Sequence, residues 1–140
     1  MSRNSLAALL ASVAVAAVAI AGFLSLGGPN TQRQMQSDQR TLQALGRLAG
    51  QVNSTYQYGK KTLPTDLHEF PRTTTLNPIT QQPFVYHQKS ASSYELCSSF
   101  VTDSKDQKNQ NGEDFWDHPR GYHCFTLDAT QTLPQIPFGY

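Results

Sequence analysis

Cys97 and Cys124 are the two cysteines of this 140-residue chain, and their chemistry is the most readily read. Each falls in a run whose alternating character predicts a strand, and both follow an uncharged apolar run that points to export. An even pair of cysteines in an exported segment predicts a disulfide. Closing a loop of this length contributes roughly 3–4 kcal/mol in the chain-entropy picture. The competing arrangement is a metal set of Cys97, Cys124, His118 and His123. Neighbours on a strand face opposite ways, so His123 and Cys124 would diverge, and no CxxC or HxxxH spacing supports such a set. No metal and no other cofactor is expected.

Trp116, Asp117, His118 and His123 form a second cluster of reactive types, suited on paper to acid–base work. No nucleophile motif accompanies them, and GxxxxGK[ST], GxGxxG and HExxH are absent from the sequence. The chain therefore reads as a non-enzyme, with no catalytic residue assigned. The acids Asp103, Asp106, Glu113, Asp114 and Asp117 offer oxygen ligands for Ca²⁺, but they fall in a strongly polar stretch that reads as a solvated loop. Asn53-Ser54-Thr55 fits a glycosylation sequon, set in the middle of a predicted helix. The rings of Tyr56, Tyr58, Tyr86, Tyr94, Trp116 and Tyr122 would line a carbohydrate or peptide site if they met in one cleft. As single residues they suit a core and a sheet face equally well.

These residues must be positioned by a small fold. Apolar residues make up 38% of the chain and charged residues 15%, both below the soluble average. Residues 5–28 carry no charge, and residues 29–140 carry 10 basic and 10 acidic side chains. Without a basic excess, nucleic acid is excluded as the main partner. Residues 6–26 form an apolar run that includes Leu6, Leu10, Val15, Ile20, Phe23 and Leu26. As a helix it would span about 31 Å, against a bilayer core of roughly 30 Å. The expectation is a single-span membrane anchor. Arg3 on its amino-terminal flank places the N-terminus in the cytoplasm and the remainder outside. A cleaved signal peptide is the alternative, with small-x-small sites such as Ala19-Ile20-Ala21.

Gly27-Gly28-Pro29-Asn30 interrupts the apolar run. Met35, Leu42, Leu45, Leu48, Ala49, Val52 and Tyr56 then recur at steps of three, four and seven, predicting an amphipathic helix over 31–58 with Gln, Ser, Arg and Asp on its opposite face. Gly59 suits the position after the helix. Thr65 would cap a single helical turn, with Leu67 and Phe70 inward and Pro71 ending it. Asn77-Pro78 marks a turn. From Pro83 the period becomes two, and strands are predicted over 84–87, 94–102 and 121–127, with a polar loop over 103–114. Phe115-Trp116 re-enters the core. The expected organisation is an anchor over 1–28, an α+β domain over 29–127 and a Pro-rich tail over 128–140. Its core would be thin: a long amphipathic helix packed on a small antiparallel sheet.

The order of these elements resembles the type IV pilin-like proteins, in particular the major pseudopilins of type II secretion. The resemblance covers residues 31–102 and rests on Gly59…Leu63-Pro64-Thr65-Asp66-Leu67, on Asn77-Pro78 with Pro83-Phe84-Val85-Tyr86, and on Tyr94-Glu95-Leu96-Cys97. It implies a pilin-like domain in a bacterial periplasm, attached to the inner membrane and docked on other subunits of a membrane complex. The chain departs from that family at the prepilin cleavage motif. Gly22-Phe23-Leu24-Ser25-Leu26 lies at the end of the apolar run, with no glutamate after it. Asp114 and Asp117 fall where those relatives bind Ca²⁺, but the ligand pattern differs and no site is assigned. The function expected is therefore a non-catalytic, membrane-anchored structural or accessory subunit. The alternatives are a pseudopilin-like component of a secretion or pilus machine and an extracytoplasmic ligand-binding module.

Overall fold

The structure, a computed structural model, describes residues 12–22, 29–107 and 114–136. The chain divides into two compact units, Met1–Arg33 and Gln34–Tyr140. In the first, residues 12–22 are helical (α1), with Val13, Val15, Val18 and Ile20 exposed. Eleven helical residues reach about 16 Å, roughly half of a bilayer core. The longer helix that follows, α2 (Pro29–Tyr58), has a polar face rich in Gln and Arg. Among the described residues no helix is long and apolar enough to cross a membrane. That overturns the expected single-span anchor and, with it, the inner-membrane localisation and the cytoplasmic N-terminus. Val15 and Ile20 of the expected anchor lie on α1. Leu6, Leu10, Phe23 and Leu26 lie outside the described residues.

The second unit contains most of α2, a short helix α3 (Arg72–Thr75) and strands β1 (Val85–Gln88), β2 (Ser93–Phe100) and β3 (Gly121–Asp128). The strands form one antiparallel sheet in the order β1-β2-β3. This is the expected α+β arrangement without the transmembrane helix. The apolar stripe drives it: Leu45, Leu48, Ala49 and Val52 are completely buried, and they cluster with Tyr94, Leu96, Phe100, Phe125 and Leu127. Alternation sorts the strands. On β2, Tyr94, Leu96, Ser98 and Phe100 share the side that belongs to this core, while Glu95, Cys97 and Ser99 share the other.

Hydrogen bonds at the strand ends fix which backbone groups face which neighbour. Lys89 N–H donates to Ser93 C=O at 2.9 Å, and Ala129 N–H donates to Ser92 C=O at 2.8 Å. On the other side of β1, Phe84 N–H donates to Thr75 C=O at 2.9 Å, around the bridge between Leu76 and Pro83. Residues 85, 87 and 89 therefore point their backbone groups at β2, and 84, 86 and 88 point theirs away.

Two local expectations are corrected, and one is given a different physical reason. The helical turn expected at 65–70 does not form. The Asp66 carboxylate accepts the His68 N–H at 2.8 Å, an Asx turn that competes with a helical start, and a single helical turn begins instead at Arg72, after Pro71 in an extended conformation at its N-cap. Gly59 directly follows the end of α2, as expected, but the reason for glycine there is proximity, because a Cβ would collide with the Thr55 carbonyl oxygen; positive φ in this segment falls at Lys61, at 55°. The stretch beyond 128 is not a separate tail as far as 136. Ala129 is fully buried, and Leu133 and Ile136 pack on the core.

Candidate functional site

Cys97 and Cys124 are joined, with an S–S distance of 2.08 Å. They are directly opposite in the β2–β3 register, with Cα atoms 4.0 Å apart. Parity makes this a pair without mutual backbone hydrogen bonds, the position where strands approach most closely. The bridge lies on the face of the sheet turned away from α2, so it staples two strands without taking space from the core.

The cluster expected around Trp116 is occupied by packing. The His118 ring stacks on Phe100 at 3.9 Å between centroids, and its backbone N–H donates to Ser104 Oγ. Its Nδ1 lies 3.4 Å from the Pro119 carbonyl oxygen. Burial pushes the His118 pKa below its ordinary value, and the Pro119 carbonyl and the Asp38 charge offset this only in part. Trp116 is buried, and its Nε1–H donates to the Pro134 carbonyl at 3.0 Å, which holds the 133–136 segment beside α2. The Asp117 carboxylate accepts the Asp114 N–H at 2.8 Å. His123 meets Phe125 edge to face and lies on the opposite face of β3 from Cys124. Among the described residues no three His, Cys, Asp or Glu side chains are arranged to hold a metal. Of the loop acids, Asp103 accepts the Lys105 N–H. Glu113 and the side chain of Asp106 lie outside what the structure describes.

Asn53 of the sequon is buried; its Oδ1 accepts the Tyr94 hydroxyl at 2.7 Å, so the amide has a structural partner and no access for a glycan. Burial raises the Tyr94 pKa well above the ordinary tyrosine value. The six rings do not converge on one cleft. Tyr94 and Trp116 are interior, whereas Tyr58 and Tyr122 are 89% and 58% exposed.

The sequence reading missed a polar network beneath the sheet. Asp38 is buried; one carboxylate accepts Val101 N–H at 2.9 Å, Thr102 N–H at 2.7 Å and the Thr102 hydroxyl at 2.7 Å. Beside it, Asn77 donates to Thr41 Oγ at 3.3 Å and Ser98 Oγ at 3.2 Å, while its Oδ1 accepts the Ile79 N–H at 2.8 Å. The signal was present: Asp38 stands four residues before Leu42, in phase with the apolar stripe and not with the polar face.

Among the described residues, two concavities stand out. One, of about 520 Å³, lies where Gly46 and Arg47 face the 133–136 segment and Trp116. The other, of about 710 Å³, lies between the 65–72 segment and the start of β1. Phe70, Phe84 and Tyr86 supply apolar surface there; Asp66, His68 and Arg72 are its charged and titratable members. The Tyr86 hydroxyl donates to the Pro64 carbonyl at 2.9 Å, which fixes the ring at one wall. No family model, no curated protein and no solved structure matches the chain.

Proposed function

We propose that this protein is a non-catalytic structural or accessory subunit that works by docking on other proteins in an oxidising compartment. The observation that carries this reading is how the chemically capable side chains are employed. His118, Asp117, Asp38 and Asn53 are each engaged by hydrogen bonds or stacking that hold the fold. The disulfide supports the compartment, because such bonds persist where thiols are oxidised. A small domain with one helix on one face of a three-stranded sheet keeps much of its surface available for neighbours. A second reading, a pseudopilin-like component of a secretion or pilus machine, rests on the motif order over 31–102.

The test is purification of the tagged full-length chain from its native source under mild conditions, with mass spectrometry of the intact protein and its companions. A stoichiometric set of partners supports the subunit reading, and pilus or secretion components among them support the second. A chain recovered alone and monomeric overturns both.

A further inference from the structure

We infer that the outer edge of β1 and the cleft beside it form a strand-addition site for an extended peptide bearing an acidic side chain. The inference rests on the reading of this chain as a protein-docking subunit. Three observations converge on it.

The first is backbone parity. β1 is an edge strand of the sheet. Lys89 N–H bonds toward β2 and Phe84 N–H bonds away from it, so Tyr86 and Gln88 present their N–H and C=O groups outward. The neighbouring 75–77 segment uses this edge only as far as Phe84. Beyond it, two N–H and two C=O groups remain, arranged as a strand template without a strand.

The second is the cleft of about 710 Å³ along the same edge, which includes Phe70, Phe84 and Tyr86. In an added strand alternate side chains point to one side, so every second residue would rest on this apolar surface. The third is charge. Arg72 lines the cleft, and its guanidinium has no carboxylate partner among the described residues; the ion pair described there, Lys89 with Glu95, lies elsewhere. Asp66 lines the same cleft and gives one carboxylate oxygen to the His68 N–H. An incoming Asp or Glu finds at Arg72 a planar fork of unused donors, a bidentate geometry that a carboxylate matches.

The experiment uses the full-length chain and a fluorescein-labelled peptide alternating valine with glutamate, read by fluorescence anisotropy, with a valine–lysine peptide for comparison. Amide exchange at Tyr86 and Gln88 is followed in parallel. The expected result is binding of the glutamate peptide alone, with slowed exchange at both amides. Arg72→Glu should weaken binding at least about tenfold, the size of one lost charge-assisted hydrogen bond. Gln88→Pro should weaken it similarly, because proline removes an outward donor and leaves the β1–β2 ladder intact. Equal binding of the two peptides, no binding at millimolar peptide, or exchange protection on another element would overturn the site. Concentration-dependent dimerisation that protects the same amides would assign the edge to a second copy and also overturn it. A failed peptide test with co-purified partners present leaves the subunit reading standing; bound peptide with no partners overturns only that reading.

Discussion

Along α2, the turns carrying Asp38 and Thr41 meet the rest of the domain through hydrogen bonds, whereas the turns carrying Leu45, Leu48, Ala49 and Val52 meet it through apolar contact. The apolar half resembles any helix on a sheet: many small dispersion contacts, tolerant of modest sliding. The polar half has discrete partners. Asp38 reaches the two backbone amides just past β2, and Asn77 joins α2, β2 and the 77–82 turn at one amide group. Apolar contacts are non-directional and can be remade with other apolar neighbours, whereas one carboxylate holding three donors admits a single placement of the helix. The difference teaches that burial supplies most of the stability here, while the polar network sets the register of helix against sheet.

The largest test acts on the apolar half. Leu48→Ala should lower stability by about 3–5 kcal/mol, measured by urea unfolding, because the side chain is completely buried and its site is enclosed. Replacing both cysteines by serine should cost roughly 3 kcal/mol. Because the bridge lies on the opposite face, native-state hydrogen exchange should show both halves of α2 weakened together. Unequal loss would show that the staple supports only one of them. Asp38→Ala should cost about 2–3 kcal/mol by stranding buried donors, with Asp38→Asn costing less. Helix register is the sharper readout: amide shifts in 38–45 should move in Asp38→Ala and stay in Leu48→Ala. The reverse pattern would break the comparison.

His118 adds a smaller, pH-dependent effect at the polar end. Its folded pKa lies below the ordinary value, so below about pH 6.5 the unfolded chain binds the proton more readily than the folded one. Stability is therefore full above that pH and falls as pH drops toward the folded pKa. His118→Phe, which keeps the stack on Phe100, should remove that part of the slope in unfolding curves. An unchanged slope would place the titration elsewhere. The smallest effect is expected at Gly46→Ala. A Cβ there meets the end of the Ile136 side chain, a flexible obstacle, and alanine's better helix propensity offsets the cost. Net change should stay within about 1 kcal/mol, with a shift in Trp116 fluorescence marking the displaced segment.

The same contrast explains what the sequence made legible. The apolar half announces itself by spacing: Leu42, Leu45, Leu48 and Val52 are on the buried face as expected, and the cysteine strands appear near their expected bounds. Spacing can place a polar residue on the buried face, but it does not name its partners. Asp38, expected on the solvent face with Gln and Arg, is in phase with the stripe and buried, and the groups that satisfy it, Val101 and Thr102, lie more than sixty residues away. Tyr94, expected in a core or on a sheet face with a ligand site as the alternative, is core, and Asn53 satisfies its hydroxyl. Phe115, expected to enter the core with Trp116, remains 39% exposed. Two adjacent aromatics cannot both find a place inside one thin layer. The apolar N-terminal run suggests a span by its length and lack of charge, and among the described residues the helix there is too short for it.

The disulfide has one more consequence. Because Cys97 and Cys124 flank everything from the end of β2 to the middle of β3, a peptide bond cut anywhere between them would not divide the molecule. Its two pieces would migrate as one band without reductant and as two with it. The sheet would remain assembled across the break, since β2 and β3 would still be tethered at their closest approach. A clipped chain of this kind would therefore still carry an intact β1 edge.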